Sequence, residues 1–385
     1  MCRGEFFMRF FKRISAFIVI LALLTSISSL FVSANDVVIS NISAKSACLI
    51  EAEGGRVLYS KNGTKRMPMA STTKVMTAIV AIESGIPLDT KIKVPKEAVG
   101  IEGSSVYLKQ NEVVSFEMLL YALMLSSAND AAVAIAYVVS GSVDNFVALM
   151  NKKADELGLA DTNFTNPHGL YDENHYTTAE NLAKIMAYAM KNQDFAKITS
   201  SKNKAFARED GTSFALSNHN RLLKTYGGVI GGKTGFTKKS GRCLVTCAER
   251  DGLKLIAVTL DAPDDWNDHA KLYDFGFANY ERVYFDTQTI KMPVISGNKS
   301  EILAQSDAFS IFLPKQHGEI SVKINAPRFL FANIKKGEKI GEIVYLCNGK
   351  IIAATPLYSL SDVAKIKYKF NLFEFLRDLF KGLLN

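Results

Sequence analysis

The order of strand and helix patterns between residues 36 and 285 most constrains the fold of this chain. Two apolar stretches around Gly54-Gly55, in ACLIEAEGGRVLYSK, predict a β-hairpin. A long middle section then repeats apolar residues at helical spacing, in SFEMLLYALMLSS, NDAAVAIAYVVSG and VDNFVALMNKKADELG. Strand patterns return after about Gly227, where GRCLVTCAE and LKLIAVTLDA flank the turn signal Asp251-Gly252. The order predicts an α+β domain: a mostly antiparallel sheet covered by helices, with an all-helical subdomain.

Two helix starts in this domain have recognisable signals. In TTAENLAKIMAYAMKN, Thr177 and Glu180 predict a capping box that opens the helix. Asp264, Asp265 and Asp268 stand at the start of a later helix that extends to about residue 280. Because acidic side chains favour helix N-termini, we interpret these three as capping residues rather than as a metal cluster.

The N-terminus has the features of a secretory signal peptide. Three basic residues precede an apolar run from Ile14 to about Leu24, and Val32-Ser33-Ala34 has the small residues of a cleavage site. We predict export with residues 1–34 as the signal peptide; an uncleaved anchor is the alternative, although the run is short for a full span. Removing four basic residues and one acidic residue lowers the formal net charge from +8 to +5, which suits an anionic envelope surface.

Cysteine, histidine and basic residues are not arranged as in metal, disulfide or nucleic-acid modules. Cys243 and Cys247 lie four residues apart on a predicted strand, too far along it to bridge each other. The chain contains no C-x-x-C and no H-E-x-x-H, and its five histidines are scattered. We therefore expect no metal, no cofactor and no dense disulfide framework, and no nucleic acid as a partner.

The pattern changes after the first domain, which we place at residues 35–286. Short strand patterns with frequent Gly, Asn and Lys, as in KKGEKIGEIVYLCNGKIIAATPL, predict a small all-β domain over residues 287–362. In NLFEFLRDLFKGLLN eight large apolar residues share one helical face, and three lysines precede the segment. This combination is typical of the membrane interface, so residues 363–385 are predicted to be an amphipathic membrane-anchoring helix. A terminal helix packed on a domain or on a partner is the alternative.

Three short motifs occur in order along the first domain. Ser71 and Lys74 lie three residues apart at the predicted start of an apolar helix, so they share one face. Ser127-Ala128-Asn129 lies between two apolar helices, and Lys233-Thr234-Gly235 lies in a glycine-rich strand. Each motif is weak alone, since most S-x-x-K matches are a capping serine and a surface lysine. Together, 56 and 106 residues apart, they are the motif set of penicillin-binding proteins and class A β-lactamases.

With these motifs the chain resembles the D-alanyl-D-alanine carboxypeptidases of the low-molecular-weight penicillin-binding protein family. The resemblance runs from about Ala47 to the C-terminus and includes EGSSVYLKQNE and NPHGLYDENHYTTAENLA. It implies a β-lactamase/transpeptidase-like domain followed by the small β-domain. It also implies a serine peptidase that removes the terminal D-alanine from peptidoglycan pentapeptides through an acyl-enzyme, is acylated by β-lactams, and works in the cell envelope at the outer face of the cytoplasmic membrane.

The resemblance also assigns roles to residues of the motifs. Ser71 would be the nucleophile, Lys74 its base, and Ser127 the group that passes a proton to the leaving amine. Lysine can act as a base only when it is neutral, which requires burial or a nearby cation such as Lys233. The backbone N–H groups of Ser71 and Phe236 would form the oxyanion hole. The implied substrate-binding residues are Asn129, Lys233, Thr234, Gly235 and Phe236.

Several alternatives stay open at this point. His168 invites a triad with Ser71, but no acid can be assigned to orient it, so we interpret it as structural. Some relatives carry an arginine near DAPDDWNDH for the substrate carboxylate; this chain has none there, and Arg242 is the substitute to consider. The rival functions are a β-lactamase on the same scaffold, which needs an activated water for deacylation, a non-catalytic envelope-binding relative, and a transpeptidase.

Overall fold

The strands predicted before and after the helical middle section form the central sheet of the N-terminal part. The structure is a computed structural model that describes residues 39, 41–207, 212–366 and 376–377. The described strands of residues 41–279 are β1 (Ser46–Glu51), β2 (Val57–Lys61), β3 (Lys91–Lys93), β4 (Val113–Ser115), β5 (Asn203–Ala207), β6 (Ser213–Ser217), β7 (Val229–Thr237), β8 (Gly241–Arg250) and β9 (Leu253–Leu260).

Five of these strands form one antiparallel sheet in the order β2-β1-β9-β8-β7. All six residues of β1 are buried, which happens when both faces of a strand are covered. β7 lies at one end of this order, so one of its edges is not taken up by a sheet neighbour. The hairpin predicted around Gly54-Gly55 is confirmed as β1 and β2.

Helices cover both faces of the sheet and also build a separate helical layer beside it. A 3₁₀ turn (Ala70–Thr73) runs directly into α1. The described α-helices of this part are α1 (Lys74–Glu83), α2 (Phe116–Leu125), α3 (Asn129–Ser140), α4 (Val143–Glu156), α5 (Ala179–Ala189), α6 (Gln193–Ser200), α7 (Leu222–Thr225) and α8 (Asp265–Asn279).

The two faces of the sheet belong to different packing layers. The main core joins Ile50 and Val258 of the sheet to buried residues of α1, α2, α3 and α5. On the opposite face Gly276 of α8 comes so close to Leu49 and Leu255 that a Cβ there would lie 3.0 and 2.5 Å from their methyl carbons. The α+β architecture predicted from the sequence is confirmed.

The start of α5 differs from the predicted capping box. Thr178 caps the helix, because its side chain accepts the N–H of Asn181. Thr177 stays in extended chain, since its backbone pairs with Met67. Glu180 accepts a hydrogen bond from a hydroxyl of β2 instead of closing the box. The predicted capping box of Thr177 and Glu180 is therefore wrong. The helix is capped one residue later, because the backbone of Thr177 pairs with Met67.

From Tyr280 onwards the described chain is rich in strands. A six-stranded sheet has the order β14-β16-β17-β12-β11-β15, and β10 pairs with β13. A small core between them contains Ile302, Ile343 and Leu357. The strands of this C-terminal β-domain are β10 (Tyr280–Phe285), β11 (Thr289–Ile295), β12 (Glu301–Gln305), β13 (Phe309–Pro314), β14 (Ile320–Asn325), β15 (Leu330–Phe331), β16 (Lys339–Cys347) and β17 (Lys350–Ser359).

The predicted signal peptide (1–34) and most of the predicted anchoring helix (363–385) lie outside the described residues. Within the described part of the chain, no single helix is long and apolar enough to cross a membrane. Among these described helices, only α3 and α4 taken together, with a bend of 85° between them, meet those criteria. α3 lies in the core of the N-terminal part.

Candidate active site

The 3₁₀ turn before α1 brings Ser71 and Lys74 together. Ala70 has a φ of +47°, and this sharp turn presents Ser71 at the entrance to the helix. Lys74 begins α1 one helical turn later, is fully buried, and has its Nζ 2.9 Å from Ser71 Oγ. The shared face predicted from the i, i+3 spacing is present in the structure.

The neighbours of Lys74 Nζ match the hydrogen-bonding groups of a neutral amine. Nζ donates to Asn129 Oδ1 at 2.7 Å and to the carbonyl oxygen of His168 at 2.6 Å. Both oxygens can only accept, so they use two N–H groups. A neutral –NH₂ has two N–H groups and one lone pair, and the third neighbour, the Ser71 hydroxyl, can donate to that lone pair. An ammonium would instead donate to all three oxygens, so the burial and the charges around Nζ decide between the two forms.

Burial and charge both favour the neutral amine. The buried position holds the pKa of Lys74 well below its usual range, and the Lys233 ammonium lowers it further. The Asp130 carboxylate acts in the opposite direction. The sequence-based expectation named both causes; the structure ranks burial first.

Asn129 is held with its amide oxygen towards Lys74. Its Nδ2 donates to the carbonyl of Glu102 at 2.6 Å, and its backbone N–H donates to Ser104. Two residues earlier, Ser127 has a φ of +58° in the connection between α2 and α3 and is 5% exposed. The loop therefore aims Ser127 and Asn129 at the same site from the start of α3.

Asp130 fixes the segment that covers the site, a role that the motif analysis missed. Its carboxylate accepts hydrogen bonds from the Ser105 hydroxyl and from the N–H groups of Val106 and Leu108. Through them the loop that contains Glu102 and Ser104 is tied to α3. The sequence feature that could have indicated this role is the acidic residue directly after the S-x-N motif.

β7 forms the opposite wall. Lys233 is 1% exposed and donates to the carbonyl of Thr234 at 2.8 Å, and burial lowers its pKa to about 7. Gly235 passes so close to the 3₁₀ turn that a Cβ there would lie 2.8 Å from the backbone nitrogen of Ser71. A glycine at this position lets the strand edge and the serine turn stand side by side.

These elements enclose a cleft of about 330 Å³. Of the residues predicted for the site, Ser71, Ser127, Thr234, Gly235 and Phe236 line it, whereas Lys74, Asn129 and Lys233 are buried beside it. Motif reasoning missed the remaining lining residues, and their positions come from four separate segments. They are Ser104, His219, Asp265 and Trp266, together with Arg242, which was considered only as a substitute.

Comparison with known proteins agrees with this geometry. The family model described as Peptidase_S11, D-alanyl-D-alanine carboxypeptidase, matches residues 32–264, and the model of the penicillin-binding protein 5 C-terminal domain matches residues 280–365. The chain belongs to the D-alanyl-D-alanine carboxypeptidase family. It is a serine-type D-Ala-D-Ala carboxypeptidase of the penicillin-binding protein 5 type, as the resemblance implied.

Individual relatives align with most of the length of this carboxypeptidase. It is 35% identical over 335 residues to D-alanyl-D-alanine carboxypeptidase DacF of Bacillus subtilis, covering 84% of this chain and 86% of the relative. It is 33% identical to DacA of Haemophilus influenzae, covering 96% and 98%. The crystal structure of penicillin-binding protein 5 from Haemophilus influenzae is similar, with a TM-score of 0.72, 32% identity, and coverage of 84% of this chain and 98% of that one.

Arg242 lies at the rim of the carboxypeptidase cleft and is held by α8. Its Nη2 is 2.6 Å from Asp265 Oδ1, and its guanidinium lies 5.5 Å from the centre of the Trp266 ring. Its Nε is buried and has no hydrogen-bond partner among the residues that the structure describes. A buried donor without a partner is costly, so this group has hydrogen-bonding capacity to offer a ligand.

The three aspartates at the start of α8 do not cap it with their side chains, which corrects the sequence-based interpretation. Asp265 binds Arg242 instead. Asp268 is buried and accepts hydrogen bonds from the backbone and hydroxyl of Ser43 and from the N–H of Ala44. Asp264 accepts from Asn267. Only Asp265 gains a cationic partner in this way, and its bond to Arg242 is charge-assisted on both sides.

His168 contributes its backbone rather than its ring. The carbonyl of His168 accepts from Lys74, while its Nδ1 accepts from the N–H of Leu170 at 3.2 Å. Burial, and then the charge of Lys74, lowers the pKa of the His168 imidazole to about 3. Because the Ser71 hydroxyl lies against Lys74, the structure favours the structural interpretation of His168 over a triad.

Proposed function

We propose that this carboxypeptidase cleaves the terminal D-alanine from peptidoglycan pentapeptide stems through an acyl-enzyme on Ser71. The observation that carries the proposal is the set of three neighbours around Lys74 Nζ, two obligate acceptors and one hydroxyl. Together with the burial that holds the pKa of Lys74 well below its usual range, that set fits a neutral amine that can accept the serine proton.

Acylation would involve two proton transfers, one as the bond from Ser71 Oγ to the carbonyl carbon forms and one as the C–N bond to the leaving amine breaks. Lys74 takes the proton from Ser71 Oγ as Oγ attacks the carbonyl carbon of the penultimate D-alanine. The N–H groups of Ser71 and Phe236 stabilise the oxyanion, an assignment supported by the close approach of β7 to the serine turn. The C–N bond then breaks, and the proton held on Lys74 reaches the leaving amine through the hydroxyl of Ser127.

Deacylation would reverse these roles, with water in place of the amine. Water gives its proton towards Lys74, its oxygen attacks the ester carbonyl, and Ser71 Oγ recovers a proton as the ester bond breaks. Asp265 is the carboxylate among the described residues that line the cleft, and it is paired with Arg242. A carboxylate held in this way is a poor activator of water, which favours slow release of β-lactams over β-lactamase turnover.

The free carboxylate at the substrate end would be bound by the wall opposite the serine turn. The Thr234 hydroxyl can donate to it, Lys233 supplies a buried positive charge when protonated, and Arg242 offers the unpartnered Nε. Asn129 would contact the peptide while orienting Lys74. These contacts restrict the enzyme to substrates that end in a free carboxylate.

Labelling with a fluorescent penicillin tests the assignment of Ser71. The purified protein should form one covalent adduct, because the β-lactam amide occupies the place of the scissile bond, and Ser71→Ala should form none. Ser201→Ala, at the half-buried C-cap of α6 and outside the residues that line the cleft, is the matched control. Undiminished labelling of Ser71→Ala would contradict the mechanism, and penicillin turnover at many cycles per second would favour a β-lactamase.

We also propose that the enzyme is exported and held at the outer face of the cytoplasmic membrane by residues 363–385. The signal-peptide pattern of residues 1–34 and the amphipathic pattern of residues 371–385 support this location. Truncation after Ile366 should release the protein from anionic vesicles without changing activity on a soluble peptide. If the truncated protein instead unfolds or changes its oligomeric state while vesicle binding persists, the segment is a packing helix.

A further inference from the structure

The C-terminal β-domain exposes large apolar side chains at one end of its six-stranded sheet. We call this surface the aromatic edge, and it consists of Ile295, Phe329, Phe331 and Ile366. Phe331 is 67% exposed and Phe329 44% exposed, and their rings stand edge to face with centroids 5.5 Å apart. Contiguous exposed apolar patches of this kind usually mark binding surfaces.

The strand alternation shows that these side chains point away from the core. β15 pairs with β11 so that Leu330 lies beside Val294 and Phe331 lies beside Ile295. Val294 is buried in the small core and Leu330 packs against it, so their neighbours Ile295 and Phe331 lie on the opposite face. A sheet face in contact with water alone normally carries polar residues. Here that face carries an aliphatic and an aromatic side chain.

The aromatic edge lies at the end of the domain that faces away from the active-site part. At the near end, Lys315 hydrogen-bonds to Asn279, the last residue of α8, and Cys347 of β16 contacts Gly318. At the opposite end of β16, Lys339 follows the segment that connects β15, which carries Phe331 of the aromatic edge, to β16. β16 separates the two ends by roughly 26 Å at 3.3 Å per residue.

The last described residues before the C-terminal segment, Lys365 and Ile366, lie at the aromatic edge. Ile366 donates its N–H to the carbonyl of Ser296, and Lys365 donates its N–H to Asn333. The next 19 residues, 367–385, contain the amphipathic pattern. The aromatic edge is therefore adjacent to the beginning of the segment for which we propose membrane binding.

The charge of the described stretches around the aromatic edge is mostly positive. Residues 295–299, 326–337 and 363–366 contain five basic residues and no acidic residue. Glu338 and Asp362 lie just outside these stretches and accept the backbone N–H groups of Lys335 and Lys336. The basic residues are Lys299, Arg328, Lys335, Lys336 and Lys365.

We propose that the aromatic edge is a second lipid-binding surface, which inserts Phe329 and Phe331 into the interface of an anionic bilayer next to the C-terminal segment. Aromatic and aliphatic side chains gain from burial at the boundary between headgroups and acyl chains, and basic residues around them are attracted by anionic lipid. Two adjacent contacts hold the domain in one orientation, so the active-site cleft is kept at a distance from the surface. The inference extends the membrane association proposed above; apart from Lys365 and Ile366, it rests on residues outside the segment 363–385.

Vesicle cosedimentation of the full chain tests the proposal. The probe is phosphatidylcholine vesicles with about one third phosphatidylglycerol, which supply the anionic surface. The double variant F329S/F331S should reduce the partition coefficient about tenfold, because two aromatic side chains no longer leave water. I351S is the matched control, since Ile351 is 55% exposed in the same domain but lies near the opposite end of β16. It should leave the partition coefficient unchanged.

A local readout separates this surface from the C-terminal segment. The chain contains one tryptophan, Trp266 in the cleft, so F331W adds a second emitter at the aromatic edge. Vesicles with brominated acyl chains should quench the added F331W emission and shift it to shorter wavelength. The wild-type emission from Trp266 should not respond. F331W should retain vesicle binding, since tryptophan favours the same interface.

Three outcomes would overturn the proposal. Vesicle binding that F329S/F331S leaves unchanged, with F331W emission unquenched, assigns all binding to the C-terminal segment, which L376E/L379E would then abolish. A change in oligomeric state of F329S/F331S without a change in vesicle binding makes the aromatic edge an interface between copies of the chain. Absence of vesicle binding by the wild-type chain overturns both membrane proposals, while penicillin labelling of Ser71 reports separately on the enzyme.

Discussion

At the scale of single residues, the mechanism that we propose for this carboxypeptidase depends on the protonation of two buried lysines. Lys74 has a depressed pKa because it is buried and because Lys233 is near. Lys233 has its pKa lowered to about 7 by burial alone. The same physical cause therefore produces a base at one position and a cation that titrates near neutral pH at the other.

Lys74→Arg should abolish acylation although a long basic side chain is retained. Arginine stays protonated at every accessible pH, so it has no lone pair to accept the serine proton. Stopped-flow or gel measurement of penicillin labelling, with the melting temperature as a check on folding, makes the comparison. Substantial residual labelling would show that another group takes the proton, and the His168 imidazole would be the first to test.

Binding of a substrate carboxylate should weaken as pH rises through about 7. The free enzyme loses the Lys233 charge on that rise, so the Kd should increase by at most about tenfold per pH unit. Calorimetry with Ser71→Ala, which cannot be acylated, isolates this binding step. A peptide with an amidated D-alanine end is the control, and its weaker binding should not follow the same pH dependence. Equal pH profiles for both peptides would remove Lys233 from carboxylate recognition.

At the scale of secondary-structure elements, the site is the junction of one turn, one loop and one strand edge. The 3₁₀ turn supplies Ser71, the α2–α3 connection supplies Ser127 and Asn129, and β7 supplies the wall with Lys233. β7 can approach the turn because it ends the sheet order and carries Gly235 at the point of contact. We therefore expect the separation of β7 from the 3₁₀ turn to determine whether the proposed oxyanion hole can form.

Gly235→Ala should reduce the acylation rate by about 100-fold, comparable to the loss of one oxyanion donor. The added Cβ would lie 2.8 Å from the backbone nitrogen of Ser71 and 3.0 Å from that of Thr72, so strand and turn must separate. Gly227→Ala is the control, because a Cβ there meets nothing within 4 Å. If both variants are acylated at the wild-type rate, the strand edge does not set the geometry of the hole.

At the scale of the whole molecule, Arg282 connects the C-terminal β-domain with the first hairpin of the N-terminal part. Its two Nη atoms bind the Glu53 carboxylate at 2.6 and 2.5 Å, and Nη1 also donates to the carbonyl of Gly252. Its Nε donates to Ser310 on β13. A bidentate pair with two further partners has a better-defined geometry than an ordinary surface ion pair.

Arg282→Ala should lower the free energy of unfolding by about 1 kcal/mol, the upper range for a partly exposed ion pair. Penicillin labelling should be unchanged, because Ser71 lies on a different element. Urea denaturation measures the first effect. Lys291→Ala is the control: it removes a more exposed pair, 3.2 Å from Glu301, within the β-domain, and should change stability less. Equal losses would mean that the connection between the two parts is not stabilising.

The sequence by itself determined the class of the fold, and it predicted most of the candidate site. Apolar periodicities and turn signals are local, so β1–β2, the helical middle and the later strands follow from them. The order of S-x-x-K, S-x-N and K-T-G, with the resemblance it carries, was enough to name Ser71, Lys74, Ser127 and Lys233 before any contact was known.

Only the tertiary structure decided which further groups act on these residues. Asp130, Trp266 and the carbonyl of His168 reach the site because distant segments pack against it, and no local pattern records such a contact. The same reason explains the shift of the α5 cap to Thr178 and the use of Asp265 for Arg242. Hydrogen bonds and pKa values depend on burial and on neighbours that are far apart in sequence, and these exist only once the chain has folded.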